Sequence, residues 1–398
     1  MWPLWRLPRP SLLIAVLLLQ LATTSRQAAK LSSQRGFAAS ALKVDNPYTG
    51  ETFCEVAYDT KAEAHAKLDA AVKAQLDWKN VPLSERQALC TKWISVLSSN
   101  AESIAHEISG MMGKSVQQAR NEVNGTIDRA KALIYMSSEA LRTDSFPEEN
   151  GLFRQITHDP VGVVYVIDAG YVTADADAEA AAEGLVDGVC YNAGQSCCGV
   201  ERIYVHESKY DQFLEKAKSL FEAYNLGNPT DAKTSMGPMA LPTAPEMLDA
   251  HVKDAVAKGA LKLTGSGIVT DAAGKGRFYS PTLLANCNGS MDIMTEESFG
   301  PIVGVERVSS DAEAIQKIND SKYGLTASVF SSDREHAMAL GSQISAGTVY
   351  MNRCDVLDPY LPWTGTRDSG KGISLSKHGF RGVTKLKSVS RYYDFGMR

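Results

Sequence analysis

The strongest constraint on the fold is an alternation of short apolar runs and amphipathic stretches that begins at Leu152 and lasts to Asn352. Leu152–His158 alternates imperfectly and reads as a strand. Pro160–Ile167 is a β-branched run of the kind found in strands covered on both faces. Arg202–His206, Ile302–Val308, Leu325–Phe330 and Thr348–Asn352 read as further strands. Between them lie helical patterns. Asp168–Glu183 is rich in Ala and Asp and flows into a helix. Tyr210–Tyr224 places Phe213, Leu214, Ala217, Leu220 and Phe221 on one face and stops at Gly227 and Pro229. Ala312–Asn319 and a helix capped by Ser332 and Glu335 complete the set. Strand–helix alternation of this kind argues for an α/β fold.

Upstream, Thr60–Leu141 reads as helical. Thr60-Lys61-Ala62-Glu63 is a capping-box pattern, with Leu68, Val72 and Leu76 at i+4 spacing behind it. Ser84 opens a second helix after Pro82, with Leu89, Trp93 and Leu97 on one face. Val123, Ile127 and Ile134 mark a third. These faces predict a packed helical layer.

With 398 residues the chain has room for two or three domains. Its formal net charge of −5 gives no basic excess to recommend nucleic acid as a partner. Seven cysteines, an odd number, fit a reducing compartment better than a disulfide framework. Charge is unevenly spread. Residues 1–44 hold Arg6, Arg9, Arg26, Lys30, Arg35 and Lys43 and no acid. A basic, acid-free leader is a targeting signature. Leu12–Ala22 suits the core of a secretory signal and is too short to cross a bilayer, which takes about 20 residues. Arg26–Lys43, rich in Ser, Ala and bases, is instead like a mitochondrial transit segment, with Arg35-Gly36-Phe37 similar to a matrix-protease site. The mitochondrion is the favoured address; the secretory pathway, or a plastid reached through a bipartite leader, is the alternative.

Three constellations bear chemistry. In Asn192-Ala193-Gly194-Gln195-Ser196-Cys197-Cys198, a Gly lets the backbone bend and leaves a thiol at the edge of a turn. Backbone amides there can stabilise a thiolate, as a nucleophilic Cys requires. Cys54, Cys90, Cys190, Cys287 and Cys354 read as small buried hydrophobes. No second Cys pair or paired His stands at zinc-ligand spacing, so no metal is expected. In Thr295-Glu296-Glu297-Ser298-Phe299-Gly300-Pro301, a carboxylate beside an aromatic suits a vicinal diol next to a flat ring, such as a ribose and its base. Gly365 and Gly370-Lys371 nearly spell a phosphate-binding loop, but Gly372 stands where the magnesium-binding hydroxyl belongs.

Taken together and in this order, these motifs resemble the aldehyde dehydrogenase superfamily. Gly194-Gln195-Ser196-Cys197, then Glu296-Glu297-Ser298-Phe299-Gly300-Pro301, then Gly347–Asn352 and Pro362–Gly372 follow the family pattern. The resemblance implies an aldehyde-dehydrogenase-like α/β fold with an intact catalytic domain and a remnant of the Rossmann-type cofactor-binding domain. It divides the chain into a leader (1–44), the remnant (45–170), the catalytic domain (171–383), and an oligomerisation strand and tail (384–398). It implies oxidation of an aldehyde to a carboxylic acid with NAD or NADP. Cys197 would be the nucleophile, passing through a thiohemiacetal and a thioester, with its own backbone N–H as one oxyanion donor. Glu297 would accept the nicotinamide ribose hydroxyls and Phe299 would pack beside the nicotinamide. Leu152–Ile167 and Thr384–Tyr393 resemble strands that join subunits, so a homo-oligomer is expected.

One departure stands beside this match. In the family, a strand like Val163–Ile167 leads into an oxyanion Asn, a Lys for the adenosine ribose, a Gly-rich pyrophosphate turn and a general-base Glu. Here Ile167 is followed at once by Asp168-Ala169-Gly170-Tyr171-Val172, which resembles the sequence just after that Glu. On the order of a hundred residues of the dinucleotide-binding sheet are missing by this comparison. Losing the oxyanion donor costs about 10²–10³ in rate, and losing the base about 10²–10⁴ more. A second expectation follows: a catalytically silent subunit that associates with full-length family members. Helices 60–141 would then lack the sheet they pack on and expose apolar faces.

Overall fold

A computed structural model of the protein describes residues 41–78, 80–149, 152–160, 169–370 and 372–392. The leader up to residue 40, the predicted strand beyond Pro160 and the Ile167–Asp168 junction lie outside the described residues.

The chain opens with an antiparallel hairpin, β1 (Ala41–Asp45) and β2 (Thr52–Ala57). Four helices follow: α1 (Lys61–Trp78), α2 (Leu83–Ser99), α3 (Ala101–Met112) and α4 (Val116–Ala140). The capping box opens α1 as expected: Glu63 N–H donates to Thr60 Oγ1 at 3.2 Å, and Thr60 N–H to the Glu63 carboxylate at 2.8 Å. Between α2 and α4, Ile94, Val123 and Ile127 form a small core on which Leu97 and Ile134 pack. The predicted Leu89–Trp93–Leu97 face is split. Leu97 packs inward, whereas Leu89 is 54% exposed and Trp93 39%. Val96 and Tyr135 are also exposed. Leaving a side chain such as Leu in water forgoes about 1.5–3 kcal/mol, so this helical layer presents apolar surface, as expected of helices without a covering sheet.

Two strands follow, β3 (Asp144–Glu149) and β4 (Leu152–Pro160), and then the main sheet. Its members in chain order are β5 (Ala169–Val172), β6 (Arg202–His206), β7 (Leu261–Lys262), β10 (Thr282–Ala285), β11 (Ile302–Val308), β12 (Thr326–Phe330) and β13 (Thr348–Met351); β8 (Ile268–Val269) and β9 (Phe278–Tyr279) form a hairpin outside it. They lie side by side as β13-β12-β5-β6-β11-β10-β7. Every neighbouring pair is parallel except β7 against β10. Helices connect them: α5 (Ala178–Cys190), α6 (Glu207–Glu222), α7 (Ala244–Ala257), the single turn α8 (Asp292–Thr295), α9 (Asp311–Asn319) and α10 (Arg334–Gly341). Ile203, Val205, Leu283, Leu284, Val303, Val305 and Val329 are fully buried in this sheet. Cover on both faces explains the unbroken apolar runs in the sequence. The cap of α10 differs from expectation. Asp333, rather than Ser332, accepts from the Glu335 and His336 N–H groups at 2.8 and 3.2 Å. Ser332 instead donates both its N–H and its hydroxyl to Asp175.

The chain closes with a minimal hairpin, β14 (Trp363–Thr364) and β15 (Ile373–Ser374), the short helix α11 (Ser376–Gly382) and the strand β16 (Thr384–Tyr392). β16 pairs antiparallel with β4, from Thr384 opposite Pro160 to Tyr392 opposite Leu152, and β3 lines the other side of β4. Leu386 on β16 is 69% exposed.

Candidate active site

Helix α5 delivers the cysteine turn. Asp177 caps it by accepting from the Glu179 and Ala180 N–H groups. Its buried face of Ala181, Ala182, Leu185, Val186 and Val189 fixes it against the sheet. The helix ends in a left-handed turn in which Asn192, Ala193 and Gly194 have φ of 54°, 55° and 70°. Such backbone costs about 1–3 kcal/mol for each non-glycine residue unless neighbours hold it. Here Asn192 Nδ2 donates to the Gln195 carbonyl at 2.7 Å, and Gln195 Nε2 donates back to the Asn192 carbonyl at 3.1 Å. Gln195 Oε1 accepts the Ala240 N–H at 2.8 Å. Gly194 is required twice over. Besides its positive φ, a Cβ there would lie 2.2 Å from the Gly300 carbonyl oxygen. That close approach presses the cysteine turn against the loop carrying Glu297 and Phe299, so the structure brings the two predicted motifs together.

Cys197 is half-buried, and Cys198 is only 4% exposed. Cys198 Sγ donates to Asp355 Oδ1 at 2.6 Å, and Ser196 Oγ donates to the same oxygen at 3.2 Å. Its bond to Cys197, its burial and the Asp355 carboxylate push the Cys198 thiol well above its ordinary range. The same Cys198 contact holds Cys197 below its ordinary value, so Cys197 ionises first of the pair. Cys190 and Cys287 are buried and their thiols are pushed up by desolvation. Cys90, expected to be buried, is exposed, and Cys54 and Cys354 are intermediate.

The second motif hangs on Glu201, a residue the sequence reading did not single out. Glu201, 6% exposed and immediately before β6, has a carboxylate that accepts the backbone N–H groups of Ser298 at 3.0 Å and Phe299 at 2.9 Å. Burial pushes Glu201 up to about 7. Burial, followed by the Glu201 charge, pushes Glu297 up to about 7 as well. Glu297 is near enough for its charge to act on Cys197. Phe299 is half-buried with a left-handed φ of 51°. Ser298 Oγ lies 3.1 Å from His251 Nδ1, and Glu296 points outward to Lys322. An acid inside the apolar run Val200–Val205 was the available signal for Glu201. Asp355 carried none, since it folds back from beyond β13.

The stretch that nearly spells a phosphate loop is not one. Arg367–Ser369 forms a single 3₁₀ turn, Ser369 Oγ accepts the Gly324 N–H, and β15 rather than a helix follows. Among the described residues, no group of three His, Cys, Asp or Glu is placed to hold a metal ion, and no helix is long and apolar enough to cross a membrane.

The site thus joins a mostly parallel sheet to a thiol turn clamped against a Glu–Phe loop. The Aldehyde dehydrogenase family model matches residues 36–169 and 168–389, and the chain belongs to that family. Among relatives, the human mitochondrial aldehyde dehydrogenase is 34% identical over 219 residues, which is 55% of this chain and 42% of that protein. The betaine aldehyde dehydrogenase of Bacillus subtilis is 35% identical over 218 residues, 54% of this chain and 44% of that protein. The matches thus span less than half the length of these curated relatives. Among solved structures, an NADP-dependent enzyme of E. coli superposes with a TM-score of 0.83 at 20% identity, covering 89% of this chain and 95% of that one. Betaine aldehyde dehydrogenase of Staphylococcus aureus in complex with NAD+ gives 0.82 at 23%, covering 89% and 92%. At these identities the structures speak for the fold.

Proposed function

We propose that this chain carries the aldehyde-binding thiol centre of an NAD(P)-dependent aldehyde dehydrogenase, with Cys197 as nucleophile. The observation that carries the reading is the clamp between Gly194 and Gly300, which sets a half-buried thiol, held below its ordinary value by its contact with Cys198, against the Glu297 loop. The Cys197 thiolate attacks the aldehyde carbon, and the carbonyl oxygen becomes an oxyanion facing the Cys197 N–H. Cys198 stays protonated on Asp355 and does not compete. Glu297 stands ready to accept ribose hydroxyls, and Phe299 to flank a nicotinamide.

NAD or NADP, when bound, supplies the hydride acceptor that turns a captured aldehyde into an acyl group. The described residues suit only its nicotinamide end. No second parallel sheet and no Gly-rich turn at a helix N-terminus is found among them to receive the pyrophosphate. The two blocks matched by the family meet at residues 168–169, next to the Ile167–Asp168 junction at which the missing segment is expected. We therefore divide the chain into a leader (1–44), a cofactor-domain remnant (45–170), a catalytic domain (171–383) and an oligomerisation tail (384–398). The leader, with mitochondrial aldehyde dehydrogenases among the relatives, supports a mitochondrial address.

A second reading, favoured by the β3–β4–β16 sheet and its exposed Leu386, is a silent subunit that associates with full-length family members. Two measurements separate the cases. Limited alkylation with iodoacetamide and peptide mapping should label Cys197 ahead of Cys198; a first label on Cys198 would overturn the nucleophile assignment. Saturable micromolar NAD binding by calorimetry would support the complete reaction, and no heat at millimolar NAD would support the silent subunit.

A further inference from the structure

Two adjacent thiols start with the same intrinsic acidity, so something outside them must tell them apart. The difference is made from one oxygen. Asp355 Oδ1 accepts from Cys198 Sγ at 2.6 Å and from Ser196 Oγ at 3.2 Å, so the residues on either side of Cys197 are tied to the same carboxylate. Ser196 Oγ also lies 3.4 Å from Cys198 Sγ. Asp355 is held in place for this contact. It has a left-handed φ of 47° and is flanked by two anchors: Cys354 Sγ donates to the Gly184 carbonyl at 3.1 Å, and the Tyr350 hydroxyl donates to the Val356 carbonyl.

A thiol has one proton to donate. The Cys198 S–H faces two acceptors, the Asp355 carboxylate and the Cys197 sulfur. A bond to Cys197 stabilises its thiolate, and a bond to Asp355 withdraws that support. Charges reach this contest from every side. The Asp355 and Glu297 carboxylates both disfavour a thiolate at Cys197. Burial pushes the Asp355 carboxyl up, while its bonds from Cys198 and Ser196 and the charge of Lys114 draw it down. Lys114 is itself paired with Glu122 and lies over the Tyr191 ring. On α5, Asp187 feels the Asp355 charge, and Tyr191 just beyond that helix feels Asp355, Glu122, Asp187 and the Arg129 cation.

We propose that Asp355 is a positioning residue that restrains Cys197 by competing with the Cys197 sulfur for the single proton of Cys198, and that Ser196 eases the restraint by offering Asp355 a substitute donor. The proposal deepens the reading of Cys197 as nucleophile and rests on it. With Cys198 turned to Asp355, the Cys197 thiol is held back. With Ser196 alone on Asp355, Cys198 turns to the Cys197 sulfur and the thiolate is stabilised. Only hydrogen bonds change hands, and Cys198 keeps its proton throughout.

The test follows the rate of Cys197 alkylation by iodoacetamide, a neutral reagent, from pH 5 to 10 by peptide mapping. Cys90, exposed on α2, supplies a reference midpoint in the same digest that no variant should move. Asp355→Asn removes the charge and leaves a weaker acceptor, and Asn tolerates left-handed backbone. The Cys197 midpoint should fall by about one pH unit or more, a tenfold gain in thiolate below the midpoint. Ser196→Ala takes away the substitute donor and should raise the midpoint by about half a unit. Cys198→Ala removes the proton in dispute and should raise it by about one unit. With Cys198 already Ala, the shift caused by Asp355→Asn should shrink to less than about half, the remainder being its charge alone. Mere loosening of the turn would not give opposite signs from changes around one oxygen, and Ser196→Ala reads the contest without touching Asp355. Circular dichroism checks that each variant folds. A midpoint unmoved or raised by Asp355→Asn, unmoved or lowered by Ser196→Ala or by Cys198→Ala, or shifted in full by Asp355→Asn when Cys198 is Ala, overturns the proposal and leaves Cys197 as nucleophile. A parent chain labelled first at Cys198 overturns the nucleophile assignment and the proposal with it.

Discussion

Glu201→Gln probes how the Glu297–Phe299 loop is tied to the strand that follows the cysteine turn. The wild-type carboxyl titrates at about 7, against an ordinary value of 4.5. Between those values the folded chain holds a proton that the unfolded chain has lost. Stability therefore falls as pH rises through this window and levels off above it. At about 1.4 kcal/mol per unit, the loss attributable to this one group is on the order of 3 kcal/mol. A glutamine side chain does not titrate, so this component vanishes in the variant. It also offers one acceptor oxygen to a site where two N–H groups, of Ser298 and Phe299, need partners. The orphaned donor costs about 1–3 kcal/mol at every pH. The variant should therefore be about 2 kcal/mol less stable than wild type near pH 5, and the gap should close or invert by pH 8. Urea unfolding of both proteins at pH 5, 6, 7 and 8 measures the difference, in which all other titrating groups cancel apart from Glu297. With the Glu201 charge gone, Glu297 should titrate lower. A stability gap independent of pH would refute the reasoning, because it would mean that Glu201 is not a buried carboxyl that ionises in the neutral range.

Gly194→Ala forces a Cβ onto the Gly300 carbonyl at a left-handed φ and should cost about 3 kcal/mol or more in thermal or urea unfolding, with slower alkylation of Cys197. Replacing exposed Leu89 and Trp93 together by Gln should move stability by about 1 kcal/mol or less, yet reduce self-association in light scattering, whereas Ile94→Ala in the small helical core should cost about 2–5 kcal/mol. His336 bridges Asp311 at 2.9 Å and Asp175 at 3.1 Å, and the Asp311 bond, with Asp175 behind it, raises the imidazole above its ordinary value. Its NMR titration midpoint should lie above 6.5, with the stabilisation it provides present below that range and fading as pH rises through the midpoint.

The strands were legible because they are buried on both faces. Ile302–Val308 stands in the fold with the bounds its apolar run suggested, and Leu325–Phe330 is off by a single residue. The lateral order of the sheet was not legible, since β5 lies between β6 and β12 through contacts distant in sequence. Periodicity marked Leu89 and Trp93 as a buried face because it reports which side is apolar and says nothing about whether a covering surface exists. The helix cap was displaced by one residue because Ser332 and Asp333 are both good caps, and only the position of Asp175 decides which is free to serve. Of the residues gathered at the candidate site, Cys197, Glu297 and Phe299 lie in local motifs that single them out as candidates. Glu201 and Asp355 could not be given roles, since one acts on a loop 97 residues on and the other folds back across 157 residues to Cys198.

The pairing of β4 with β16 also bears on how the molecule comes into being. On the ribosome, β4 emerges well before β16 and has only β3 to bond to until β16 has followed it. The sheet closes a loop of more than two hundred residues, the kind of distant zipper that forms slowly and leaves an open edge meanwhile. Removing Thr384–Tyr392 would strip β4 of one of its two neighbours, so this distant strand acts as the clasp of the three-stranded sheet.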